Sequence, residues 1–222
     1  MIIYSNSCSY GVISDGPVYS DFIAKHLNAE LINHGIGGSC NERIFRTSTR
    51  DILKILDKHN ANNILVLIGL TNTFRGEFWS TTPALHQDGH FESFTSSIVD
   101  NSYTREFYRM YDQEGAITNL LSQLVAFTGW LKHLNIQYLI WTNTPHLKPI
   151  NFAQNFVKSL YKNISQDAGI LSLFDFNFCD FSQQNNYQTF DRPYDQGGHP
   201  NTHAHKHFSD FLITKLSLSF NG

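Results

Sequence analysis

Short, dense apolar runs alternate along this chain with segments whose apolar residues recur every three or four positions. Ile2 to Tyr4, the stretch NILVLIGL at 63 to 70 and IQYLIW at 136 to 141 are rich in β-branched or aromatic residues and bounded by polar turns. That pattern predicts strands buried on both faces of a parallel sheet. Helical spacing appears between them: Val18, Phe22 and Ile23 in one segment, then Ile44, Ile52, Ile55 and Leu56 in the next. A longer helix is predicted from about Ile117 to Leu134, with Leu120, Leu121, Leu124, Phe127 and Leu131 on its apolar side. Alternating strands and helices of this kind predict a three-layer α/β sandwich with a central, mostly parallel, doubly wound sheet of the flavodoxin-like type.

Residues 73 to 114 break the rhythm. They have no clear period and carry Phe74, Phe78, Trp79, Phe91, Phe94, Tyr103, Phe107, Tyr108 and Tyr111. Two readings stand: a long lid or binding loop, or an insertion that folds a small aromatic core of its own. The whole chain, 222 residues, fits one domain.

Composition narrows the function classes. A formal charge of -3 without a basic stripe argues against nucleic acid as a partner. No run is long and apolar enough for a membrane span, and the start of the chain lacks the basic and apolar regions of a signal peptide. Cys8, Cys40 and Cys179 are odd in number and have no CxxC spacing, which argues against a disulfide framework or structural zinc and for a reducing compartment. A cytoplasmic protein is expected.

Chemistry-bearing residues collect just after the predicted strands. The first strand runs into SNSCSYG at 5 to 11, which is either a serine-rich turn or a nucleophile placed where open α/β sheets bind ligands. After ELIN comes HGIGGSCNERI at 34 to 44, a glycine-rich link into a helix whose start is marked by Ser39 or Asn41. TNTFRGEF at 71 to 78 follows the third apolar strand, and YDQGGHPNTHAHKHFSDFL at 194 to 212 sets an acid and a histidine before a helix. In that helix Ala204, Phe208, Phe211 and Leu212 define the buried side and His203, His207 and Asp210 the exposed one. The histidines are therefore read as a solvated face, with no metal site, and His205 as a packed, hydrogen-bonded residue.

Taken in order, these blocks resemble the SGNH (GDSL-type) hydrolase family over nearly the whole chain. Ser7 and Gly11 keep the spacing of the family's Gly-Asp-Ser-x-x-x-Gly block, with Ser5 and Asn6 in place of its first two residues. NHGIGGS resembles the second block and puts its N–H-donating glycine at Gly38. GLTN puts Gly69 on the glycine of Gly-x-Asn-Asp, with either Thr71 or Asn72 as the side-chain donor. His199, Pro200 and His205 match the last block, Asp-x-x-His with its following Pro and His, but Gln196 stands three residues before His199 and Asp195 one earlier. A looped-out glycine in Gly197-Gly198 is expected to bring Asp195 to the histidine.

The resemblance implies a serine esterase or deacylase acting on a small-molecule or carbohydrate acyl ester, without a cofactor. Ser7 would be the nucleophile, His199 the base and Asp195 its orienting acid. An oxyanion hole would come from the backbone of Ser7 and Gly38 with Asn72 or Thr71. Arg75, Phe78 and Trp79 are the candidate substrate contacts. Two alternatives use the same residues differently: an O-acyltransferase that passes the acyl group to a sugar or other alcohol, and a binding module that kept the fold after losing catalysis.

Overall fold

The computed structural model of the chain describes residues 1–79, 91–94, 102–144, 155–193 and 198–220. In chain order its strands are β1 (Ile2–Ser7), β2 (Glu30–Asn33), β3 (Ile64–Leu70), β4 (Gly76–Trp79), β5 (Phe91–Phe94) and β6 (Gln137–Thr142). Its helices are α1 (Tyr19–His26), α2 (Asn41–Leu56), α3 (Ser102–Met110), α4 (Gln113–His133), α5 (Asn155–Ser165), α6 (Phe178–Gln184) and α7 (Thr202–Phe220).

Four strands form a parallel sheet in the order β2-β1-β3-β6, and bridges from Ile140 to Ile170 and from Thr142 to Asn177 carry parallel pairing beyond β6. Every residue of β1 and β3 is buried, because helices cover both faces, whereas β2 is short and half-exposed at the edge. Tyr4, Val66, Ile68 and Ile140 pack with α2, α4 and α5 on one face. Ile3, Leu67, Leu139 and Trp141 pack with α1, α6 and α7 on the other. The sheet is thus the middle of three layers, as the alternating pattern predicts.

Local sequence explains where the helices stop. The non-glycine residues with positive φ among those described are Asn28, Asn135 and Asn186, just past the ends of α1, α4 and α6. Asparagine tolerates that left-handed turn better than most side chains. The Asp112 carboxylate caps the start of α4 by accepting from the Gly115 N–H at 2.8 Å. Helix α2 is capped by the Cys40 thiol, which accepts from the Arg43 N–H, rather than by Ser39 or Asn41.

In the aromatic stretch, β4 and β5 pair antiparallel. Phe74 packs on Tyr111 with ring centroids 4.8 Å apart, Phe107 lies 6.0 Å from Tyr111, and the Tyr108 hydroxyl donates to the Phe74 carbonyl. Among the described residues no helix is long and apolar enough to cross a membrane, and all three cysteines are free and buried.

Candidate active site

The order β2-β1-β3 places the sheet's switch point between β1 and β3, where successive crossovers leave in opposite directions and open a crevice at the carboxyl ends. Ser7 ends β1 at that crevice and lies in register with Gly69 of β3. Its hydroxyl is fully buried and accepts a hydrogen bond from Asn143 Nδ2 at 2.8 Å. Both glycines around it are required by close approach. A Cβ on Gly11 would stand 2.6 Å from Ser7 Cβ, and one on Gly69 would stand 2.8 Å from Ser7 Oγ. The Tyr19 hydroxyl is turned toward Ser5 and Ser7 without a well-aligned bond, and burial pushes its phenol well above the usual value. It stays protonated beside the candidate nucleophile.

Asn6, beside Ser7 in the strand, points to the opposite face. Its amide nitrogen lies 2.8 Å from Thr47 Oγ1 and 3.0 Å from Ser48 Oγ, with Tyr4 Oη and the Ile44 carbonyl also in reach. It anchors β1 to α2 rather than facing the crevice.

The glycine-rich link is fastened to the same strand end. The Ile36 N–H donates to the Ser7 carbonyl at 3.1 Å, and Asn33 Nδ2 donates to the Gly11 carbonyl at 3.1 Å. Gly38 has φ 79°, a left-handed conformation that suits glycine. Arg43 Nη1 donates to Ser39 Oγ at 3.2 Å, and Arg75 Nη1 to the Ser39 carbonyl at 3.3 Å. The two guanidinium groups grip the link from different elements.

At the third strand end, Thr71 is clasped by Asn41. Its N–H donates to Asn41 Oδ1 at 2.9 Å and its carbonyl accepts from Asn41 Nδ2 at 3.0 Å. The Thr71 hydroxyl and the Asn72 amide oxygen are both buried and have no hydrogen-bond partner among the described residues. Arg75 lines a cavity of about 300 Å³ together with Asn41, Thr73, Phe107 and Tyr111. Phe78 lies in β4, half-buried, and the Trp79 side chain lies outside the described residues. Glu77 pairs through both carboxylate oxygens with Arg46 of α2.

His199 precedes α7. Its Nδ1 lies 2.5 Å from Asp191 Oδ2, and its backbone N–H donates to Asp191 Oδ1 at 2.8 Å. Desolvation acts against the Asp191 charge, but the backbone and ring hydrogen bonds from His199 and the attraction of its charge outweigh it and hold the carboxyl down to about 2. A folded-back loop delivers Asp191 to this position: Thr189 bridges Pro200, and the Gly198 N–H donates to the Pro193 carbonyl. Tyr10, in the turn after β1, faces the His199 ring at 5.6 Å between centroids and sends its hydroxyl to the Gly198 carbonyl at 3.4 Å. Asp195 and Gln196 lie outside the described residues.

The structure therefore brings together Ser7 with Gly69, and His199 with a carboxylate, but among the described residues there is no hydrogen bond between Ser7 and His199. Sequence reading missed Asp191, whose spacing fits no expected block. In the sequence Asn143 stands in WTNTPH at 141 to 146, just past a predicted strand, where a residue lining the cleft and a plain turn residue look alike. A second imidazole–carboxylate contact also escaped it: His34 Nδ1 lies 2.5 Å from Asp51 Oδ2, which also takes Arg50 and the Tyr4 hydroxyl. That carboxylate is saturated and ties β2 to α2.

His205 is buried as its spacing predicts, with Nδ1 accepting from the Tyr19 N–H at 3.3 Å. Burial lowers its pKa to about 3, so it is a neutral acceptor here. His203 and His207 are exposed and pack against Tyr187. No metal-binding cluster occurs among the described residues.

No protein-family model matches the sequence, and no curated protein matches it. Among solved structures, a protein assigned to the lipolytic G-D-S-L family from Desulfitobacterium hafniense DCB-2 aligns with a TM-score of 0.51 at 11% identity, covering 96% of this chain and 98% of that one. This chain therefore has the fold of the GDSL-type hydrolases. The α/β hydrolase LAE5 from the metagenome of Lake Arreo, Spain, aligns at 0.49 with 13% identity, covering 96% of this chain and 94% of its own. A carbohydrate esterase aligns at 0.45 with 14% identity over 97% of this chain and 68% of its own.

Proposed function

We propose that this protein is a serine ester hydrolase in which Ser7 is the nucleophile, His199 the general base and Asp191 the residue that orients it. The observation that carries the reading is the His199–Asp191 pair. A carboxylate on Nδ1 leaves Nε2 as the proton acceptor and supports the imidazolium once it forms. Tyr10, three residues after Ser7, packs against the His199 ring and so links the pair to the turn that follows β1.

In the reaction, Ser7 Oγ attacks the ester carbonyl carbon and its proton passes to His199 Nε2. The tetrahedral intermediate collapses, the alkoxide leaves with that proton, and an acyl-Ser7 ester remains. Water then attacks the acyl carbon, giving up a proton to His199, and the acid departs as Ser7 is regenerated. Backbone N–H groups of Ser7 and Gly38 serve the oxyanion. Ser7 and His199 close to hydrogen-bond distance as substrate binds, since catalytic contacts often tighten only in the complex. The cavity beside Thr73 offers the Arg75 guanidinium, the three amides of Asn41, Asn119 and Gln123 and two aromatic rings to the alcohol part of the substrate, a lining suited to a polyhydroxy group.

One observation favours a second reading. Ser7 is fully buried and bonded to Asn143 instead of His199, which suits a binding module that kept the fold without the chemistry. A fluorophosphonate and an activated ester separate the two. The enzyme reading expects covalent label on Ser7 and ester turnover, both lost in Ser7→Ala and His199→Ala. Equal behaviour of wild type and Ser7→Ala establishes the binding module.

A further inference from the structure

We infer that Asn143, from the end of β6, supplies the side-chain amide donor at the nucleophile, the role that the third sequence block assigns to Thr71 or Asn72. The inference rests on Ser7 being the nucleophile.

Asn143 is held from every side. Its N–H donates to the Leu70 carbonyl at 2.9 Å and its carbonyl accepts from the Cys179 N–H at 3.0 Å, so the backbone is pinned between β3 and α6. Its side chain is fully buried, and Oδ1 accepts from the Trp141 indole N–H at 3.0 Å. An indole N–H can only donate, so the oxygen of the amide is the atom that faces Trp141 and the nitrogen must face the other way. That nitrogen lies 2.8 Å from Ser7 Oγ and 3.7 Å from Cys8 Sγ. Trp141 is itself locked, fully buried, against Tyr19 and Phe208. Gly69 leaves the space, since a Cβ there would stand 2.6 Å from Asn143 Nδ2.

At the two positions expected to donate, Asn41 holds the Thr71 backbone at its N–H and its carbonyl, and among the described residues no hydrogen bond joins the Thr71 hydroxyl or the Asn72 side chain to Ser7, which Asn143 Nδ2 meets instead. An amide donating to Oγ leaves the hydroxyl proton free to point at a base and steadies the oxygen as that proton departs. Oγ and the new oxyanion are bonded to one carbon in the tetrahedral intermediate. A donor seated on the first needs only a small shift to reach the second.

The test uses the full chain and a fluorophosphonate, with label read by intact mass against time. Asn143→Ala is expected to slow labelling of Ser7 roughly 10²–10³-fold, the usual loss for one oxyanion donor. Asn143→Asp keeps the shape and the acceptor for Trp141 but offers Ser7 an oxygen in place of N–H, and is expected to lose as much. Labelling of either folded variant within about threefold of wild type overturns the inference while leaving the serine-hydrolase reading intact. Failure of wild type itself to label overturns both. A crystal structure of the wild-type adduct decides without any variant: Asn143 Nδ2 within about 3.2 Å of the phosphonyl oxygen or Oγ supports the assignment. A phosphonyl oxygen met by Thr71 or Asn72 instead overturns it.

Discussion

Asp191 and His199 meet twice, once through the imidazole Nδ1 at 2.5 Å and once through the His199 backbone N–H at 2.8 Å, across eight residues of chain. One carboxylate thus fixes both the ring and the peptide that carries it. Asp191→Asn is expected to lower ester turnover by up to about 10⁴, because the amide no longer favours the productive tautomer or supports the imidazolium. Asp195→Asn serves as the comparison and is expected to stay close to wild type. Parallel turnover measurements decide, and the reverse pattern returns the acid role to Asp195.

Gly69→Ala tests the crevice without removing any polar group. The added methyl would stand 2.6 Å from Asn143 Nδ2 and 2.8 Å from Ser7 Oγ, so one of the two must give way. We expect labelling of Ser7 to fall at least tenfold while stability drops by about 1–3 kcal/mol, the usual cost of overpacking. Unchanged labelling kinetics with unchanged stability would mean that Ser7 and Asn143 have room to separate freely.

Buried His205 makes the fold acid-sensitive. In the unfolded chain it binds a proton near its ordinary value of 6.5, in the folded chain only near about 3. Between those values the unfolded state holds the extra proton, so stability falls as pH falls, by at most about 1.4 kcal/mol per unit. Urea midpoints at pH 7 and pH 5 should therefore differ more for wild type than for His205→Gln, whose amide oxygen can still accept from the Tyr19 N–H. Equal differences would show that His205 is not the group responsible.

Ester turnover is expected to be indifferent to EDTA and to the double substitution His203→Ala, His207→Ala. These two imidazoles lie on the exposed side of α7, where they pack against Tyr187. Loss of rate in EDTA with recovery on adding zinc would demand a metal.

The layers of the fold were legible because periodicity reports burial directly. Ile64 to Leu70 is apolar throughout since both faces of β3 are covered, and Ala204, Phe208 and Leu212 share one side of α7. Ser7, Gly11 and Gly69 were picked out by the resemblance of their spacing to the family's blocks, and the packing supplies a physical reason for the two glycines, since a Cβ on either would crowd Ser7. Asp191 was not legible. Its place depends on a loop folded back by the Thr189–Pro200 bridge, and a long-range fold of backbone leaves no local spacing to read. Asn143 was hidden similarly, since only the Trp141 indole decides which end of its amide meets Ser7. Glu77 and Arg46 pair across separate elements, which one strand's sequence cannot reveal.

The clasp of Asn41 on Thr71 has a mechanical consequence. By giving the Thr71 N–H an acceptor and its carbonyl a donor, a single side chain on α2 imitates the edge of a neighbouring strand. The last peptide of β3 is thereby stapled to the first turn of α2. With Arg75 on the Ser39 carbonyl and Arg46 on Glu77 fastening the chain that follows, the exit of β3 is tied to α2 and the link before it at three points, and Gly69 keeps its seat opposite Ser7.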